Sequence, residues 1–179
     1  MKLRRDFKEM LSAELLAMTG GLFGGLMLAF FTKKFELIPG LLILLPGFLE
    51  MRGNISGTLS GRLSSGLFVG AIKPRIKLNK ILKGNIIAAV IMAVVISFFL
   101  GLLAYLMSSY VFGISDVRII MLALIAGLLS NLLEIPLTIF ATFWLFRRGH
   151  DPSNIMGPYV TTTGDVVSIL SLFVTVMLI

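Results

Sequence analysis

Five long apolar stretches fix what this chain can be. A hydrocarbon layer about 30 Å thick needs about 20 mostly apolar helical residues to cross it. Stretches of that kind run at approximately 9–32, 37–71, 84–109, 117–146 and 153–179. The hydrophobic fraction of 57% and the mean hydropathy of +0.99 exceed what one water-soluble core can bury. The expectation is an all-α integral membrane protein of five transmembrane helices, forming one domain over residues 1–179. The connections "KPRIKLNKILKG", "YVFGISD" and "RRGHDP" carry the turn residues that separate later passages. The first passage is too long for a signal peptide and has no small-residue cleavage site after it, so it reads as retained.

Charge sorts the connections by side. Lys2, Arg4, Arg5 and Lys8, then Lys73, Arg75, Lys77, Lys80 and Lys83, then Arg147 and Arg148 fall on one face, against Lys33, Lys34 and Arg118 on the other. The positive-inside rule puts the N-terminus in the cytoplasm and the C-terminus outside. The net charge of +7 is thus an orientation signal, and nucleic acid is not expected as a partner. The chain has no cysteine, which removes disulfides and thiolate metal sites.

The second passage is irregular. As a continuous helix its 35 residues would reach roughly 52 Å, so it must tilt, break or protrude. Pro39 and Pro46 stand in its first half, and "MRGNISGTLSGRLSSG" in its second half is too polar to face lipid. Polar or broken backbone at membrane depth is tolerated only against protein or a wet cavity, so this passage should line one. Gly53, Gly57, Gly61 and Ser65 recur every four residues and read as a packing stripe for another helix. Gly20/Gly24 and Gly21/Gly25 make two further GxxxG pairs in the first passage. Asn54 beside the stripe needs a polar partner.

Ionisable groups inside the bilayer are expensive, by about 2.5–3.5 kcal/mol on insertion scales, and mark ion or substrate paths. Glu50, Glu134 and Asp165 qualify. Gly127, Asn131, Glu134 and Thr138 share one face of the fourth passage beside Pro136, and Thr161, Asp165 and Ser168 share one face of the fifth. Asp151 and Pro152 suit the N-cap and first position of the last helix, which puts Asp165 roughly 20 Å along it, or about 10 Å if the helix breaks at Pro158. Each residue also has a plainer reading. Asp165 can be held by Thr161, Ser168 or an arginine on another helix. Glu134 can accept backbone donors freed by the kink, Glu50 can pair locally with Arg52, and His150 reads as a solvated loop residue.

An all-oxygen donor set without thiolate or histidine suits a hard cation, and Mg²⁺ is often held through one or two carboxylates while keeping much of its water. One Asp half-neutralises a dication. A two-fold homodimer would supply two copies of Asp165.

These residues carry a family resemblance. "LPGFLEMRGNISGTLSGRLSSGLFVG" resembles the Gly-Asn motif with its following Ser/Thr-rich stretch and Arg in the membrane domain of MgtE-type magnesium transporters, nearest to their animal solute-carrier relatives. "GHDPSNIMGPYVTTTGDVVSIL" resembles that domain's last helix. The resemblance implies a five-helix protomer, a homodimer with the path on its axis, and hydrated Mg²⁺ at Asp165. It also implies a backbone contribution near Thr161, and puts Gly53 and Asn54 in the Gly-Asn motif. Bacterial members add an N-terminal domain and paired CBS domains, and animal relatives fuse two halves. The expectation here is one half without either regulatory domain.

The resulting expectation is a divalent cation transporter or channel, with Mg²⁺ as the transported ion, working as a homodimer in the cell membrane. Asp165 binds the ion, Thr161, Thr162 and Ser168 position its waters, and Asn131, Glu134 and Asn54 line the route. A sodium- or proton-coupled exporter using Glu134 as proton carrier is the alternative, and a scaffold subunit a more distant one. Enzyme signatures, such as Ser/His/Asp, paired Asp or HExxH, are not found in the apolar stretches.

Overall fold

The computed structural model describes residues 2–36, 38 and 40–179. Five α-helices follow one another: α1 (Lys2–Phe35), α2 (Leu41–Phe68), α3 (Lys80–Phe112), α4 (Arg118–Arg147) and α5 (Pro152–Leu178). No strand occurs among the described residues. Four helices, α1, α3, α4 and α5, are long and apolar enough to cross a membrane. The exception is α2, whose 28 residues reach about 42 Å but carry the polar second half noted in the sequence.

None of the three internal prolines divides its helix. Pro46 lies in the second turn of α2 and Pro158 in the second turn of α5, and both helices continue past them. Each proline costs its helix one ladder bond, which the packing of the rest of a long helix offsets. Pro136 is likewise carried inside α4. Pro39, the other expected break, lies outside the described residues. The helix ends are set by ordinary caps. Asn79 Oδ1 accepts the Leu82 N–H at 2.8 Å, Asp151 Oδ1 accepts the Ser153 N–H at 2.9 Å, and Gly40 and Gly113 adopt left-handed φ values of 83° and 68°.

The helices α2, α3, α4 and α5 form the packed body, with α2 and α4 at its centre, and α1 lies principally along α5. Phe48, Leu63, Leu122 and Phe143 are fully enclosed between them. Small residues let the helices close up: a side chain on Gly101 would meet Ala123 and the Ile120 backbone, and one on Gly127 would overlap Ser97. The outer faces of α1 and α3 present Leu16, Leu22, Phe30, Phe99 and Leu103, as a lipid-facing surface does.

One GxxxG pair of α1 is used within the chain. A Cβ on Gly20 would overlap the Thr162 methyl, and one on Gly24 would touch Asp165 Cβ at 3.6 Å, whereas Gly21 and Gly25 face open space. The stripe on α2 is also uncovered. Nothing lies within 4 Å of a Cβ built on Gly57 or Gly61, and the nearest atom to one on Gly53 is Thr161 Oγ1 at 3.9 Å. The helix-to-helix packing expected of that stripe is therefore not made within the described residues of the chain.

Candidate functional site

The polar half of α2 and the middle of α5 enclose an open-sided cavity of about 390 Å³. Its wall is built from Glu50, Gly53, Asn54 and Gly57 on α2 and Gly157, Thr161 and Asp165 on α5. Three glycines leave the space, and the helix period turns the polar side chains into it. Asn54 Nδ2 donates to Glu50 Oε1 at 3.1 Å across one turn of α2. Thr161 Oγ1 donates to the Gly157 carbonyl at 3.0 Å, so its own lone pairs stay available. Asp165 is half-buried, and its carboxylate makes no ion pair or side-chain hydrogen bond among the described residues. With α5 unbroken, Asp165 stands about 20 Å from the helix start.

Four of the sequence-derived candidates, Gly53, Asn54, Thr161 and Asp165, meet in this cavity. The other four sit elsewhere. Thr162 turns toward α1 and donates to the Ala17 carbonyl at 3.2 Å. Ser168 is fully buried one turn beyond Asp165, with its Oγ 3.5 Å from Arg52 Nη1. Asn131 is enclosed on α4, donates to the Gly127 carbonyl at 2.8 Å, and borders an apolar cleft between α3 and α4. Glu134 is fully buried, with Oε2 at 3.5 Å from Arg52 Nη2 and Oε1 accepting from Thr163 Oγ1 at 2.9 Å. The wet face expected of α4 does point inward, and there it meets packed protein.

Arg52 is the residue that sequence reasoning misplaced. Its expected partner, Glu50, lies two positions away, and residues two apart on a helix face opposite sides. That spacing was a usable signal. Glu50 faces the cavity, while Arg52 points into the core and reaches α4 and α5. Thr163 was not singled out. Its hydroxyl, shared between Glu134 and the Tyr159 carbonyl, has no distinguishing pattern in a run of three threonines.

A second polar group lies at the end where α1, α4 and α5 meet. Glu9 Oε1 takes Arg5 Nε at 3.1 Å and His150 Nδ1 at 3.0 Å, Asn154 Nδ2 is 3.3 Å from Oε2, and Arg5 also donates to the Gly149 carbonyl. His150 is thus a docking partner of α1 rather than a free loop side chain. No cluster of three or more His, Cys, Asp or Glu side chains suited to a resident metal occurs among the described residues.

A helical bundle whose polar helix and last helix share a carboxylate-walled cavity defines a multi-pass membrane protein with a hydrophilic recess at bilayer depth. The family model described as MgtE, divalent cation transporter, matches residues 45–175. The chain belongs to that family. It is a family of transporters and not an enzyme class. The matched region takes in nearly all of α2 and runs through α3 and α4 into α5, leaving α1 outside it. Neither a curated protein nor a solved structure matches the chain.

Proposed function

We propose that this protein conducts hydrated Mg²⁺ across the cell membrane as a two-fold homodimer, with the α2–α5 cavity as one half of the path. The observation that carries the reading is Asp165, an uncompensated carboxylate about midway along a membrane helix, in the wall of a recess that also holds Glu50, Asn54 and Thr161. Such a group is costly in lipid unless a cation or water meets it.

Size agrees. Six waters occupy about 180 Å³ at the liquid's volume per molecule, which fits within about 390 Å³. Mg²⁺ releases its waters reluctantly, so side chains need only bind the hydration shell. Asp165 supplies the charge, and the Thr161 hydroxyl and Asn54 amide orient water, with Gly53 leaving room for it. A second copy of the chain brings a second Asp165, and two carboxylates neutralise one dication. The open side of the cavity and the bare Gly57/Gly61 surface beside it suit that partner better than lipid. The charge pattern supports a cytoplasmic N-terminus and an external C-terminus, and one transport domain over residues 1–179.

A proton-coupled exporter through Glu134 has less support, because Glu134 is enclosed beside Arg52 and is not part of the cavity wall. The decisive experiment is Mg²⁺ flux into vesicles holding the purified protein and its Asp165→Asn variant, with and without sodium and pH gradients. Flux abolished by the variant and indifferent to the gradients supports the reading. Flux unchanged by the variant overturns it, and a protein that moves no ion favours a scaffold role.

A further inference from the structure

Arg52 and Glu134 are both fully buried, yet they are poorly joined. A guanidinium kept as a structural clamp normally makes a bidentate fork at about 2.7–2.9 Å. Here Nη2 stands 3.5 Å from Glu134 Oε2, Nη1 stands 3.5 Å from Ser168 Oγ, and neither Nε, Nη2 nor Glu134 Oε2 has a hydrogen-bond partner. A buried ion pair of that quality adds little to stability, since apolar residues of similar volume do as well or better. Its position is more informative. The stem of Arg52 lies against α5 at Gly164, where a Cβ would come within 3.9 Å of Arg52 Cβ, and Asp165 is the next residue. Ser168, which Arg52 Nη1 approaches at 3.5 Å, lies one turn beyond Asp165 on the same helix. Glu50 and Asn54, two positions either side of Arg52, face the cavity. A fixed positive charge therefore stands directly behind the wall that bears Asp165 and outside the space an ion would occupy.

We propose that Arg52, held in place by Glu134, is a positioning residue that weakens the cavity's grip on its cation so that the ion can leave. The inference rests on the reading of Asp165 as the cation site. Conduction requires a site attractive enough to fill and weak enough to empty. Paired carboxylates around a dication in a low-dielectric wall err toward retention, and a guanidinium behind them subtracts from the field without obstructing the path. Because Glu134 balances Arg52 in the core, the pair adds no net charge to the protein. Glu134 also touches α5, through the Thr163 hydroxyl, but Arg52 meets α5 on both sides of Asp165, at Gly164 and at Ser168, so its sign dominates at the cavity.

The test compares equilibrium Mn²⁺ binding and Mn²⁺ flux for the purified wild-type protein and for pairwise replacements that keep the core neutral. Arg52→Met with Glu134→Leu is the apolar pair, and Arg52→Gln with Glu134→Gln is a polar pair for use if the first does not fold. Removing the guanidinium should tighten Mn²⁺ binding on the order of tenfold, the effect of one charge acting across a helix at an intermediate dielectric. It should also lower both KM and the maximal flux. Arg52→Lys, which keeps the charge and loses the fork, should retain wild-type affinity. A structural clamp would show the reverse: Arg52→Lys would lose thermal stability, and the neutral pairs would bind and conduct as wild type does, which would overturn the inference. Asp165→Asn in the same assay separates the two claims. Binding that survives it overturns the site and this inference together. Binding lost with it, alongside unchanged affinity in the neutral pairs, overturns the inference alone.

Discussion

Asp165 and Glu134 are both carboxylates at membrane depth, on neighbouring helices, and the fold treats them oppositely. Glu134 is sealed in the core with a cation at 3.5 Å and a hydroxyl at 2.9 Å. Asp165 stands in the wall of an open recess with no such partner. A membrane carboxylate must be compensated, and the two differ in where a partner can come from, the chain itself for Glu134 and an open recess for Asp165. Depth and helical phase alone do not separate them. What separates them is the opposing residue, an arginine in one case and three glycines in the other.

The largest effects should come from exchanging their roles. Glu134→Gln leaves the Arg52 charge buried without its counterion, and breaking a buried pair on one side costs about 3–5 kcal/mol. The expected result is a marked fall in thermal midpoint or failure to purify. Asp165→Asn removes a charge that no ion pair or side-chain hydrogen bond holds among the described residues, so the midpoint should hold or rise while divalent cation flux falls at least about 100-fold. Thermal unfolding in detergent and vesicle flux on the same preparations check both. If Asp165→Asn destabilises and Glu134→Gln abolishes flux in a stable protein, the assignment of roles is reversed.

Much of this was legible in the sequence, for identifiable reasons. Hydropathy and length marked all five helices, four of which are long and apolar enough to cross a bilayer. Polarity in the second half of α2 foretold a polar cavity wall, and Asp151-Pro152 foretold where α5 begins. Asp165, Thr161, Gly53 and Asn54 lie on helix faces that meet, and the family motifs carried them together. The misplacements concern side chains whose partner is set by packing between helices. Thr162 is adjacent to Thr161 yet turns about 100° away, toward Gly20 on α1. Asn131 and Glu134 were recognised as inward-facing, but inward proved to mean toward Arg52 and the α3–α4 contact. Pro46 and Pro158 suggested breaks because a proline removes a donor, but the loss of one ladder bond is offset by the packing of the rest of each long helix.

The contrast can be sharpened through α1, which rests against the back of the Asp165 turn. Gly20→Ala would drive a methyl into Thr162, whose hydroxyl ties α5 to α1. Overpacking of that kind costs about 1–3 kcal/mol, and the shift should be transmitted to Asp165, one turn along, as a several-fold loss of flux. Gly21→Ala meets nothing within 4 Å and should be neutral or stabilising by up to about 1 kcal/mol, since alanine is the better helix former. Equal effects of the two substitutions would mean that α1 packs differently from the arrangement described here. The comparison also tests whether a helix outside the family-matched region is needed to hold the cavity wall.

A third acid supplies the small end of the scale. Asp116 sits in the α3–α4 connection, where its carboxylate takes Arg118 Nη2 at 2.7 Å and Nε at 3.0 Å, with the Arg118 backbone N–H also at 3.0 Å. The pairing is geometrically better than that of Glu134, but its arginine is 54% exposed, and water competes for both partners. Hydrogen bonding from Arg118 holds the Asp116 carboxyl below its ordinary value. A carboxylate depressed in the folded state stabilises at any pH above its unfolded value of about 4, and that contribution fades as pH falls through the lower folded value. Asp116→Asn should therefore shift the thermal midpoint by no more than about 2 °C at neutral pH. The difference from wild type should diminish only in acid and should shrink with added salt. A shift at pH 7 as large as that of Glu134→Gln would mean that ion-pair geometry, rather than removal from water, governs what a carboxylate contributes in this protein.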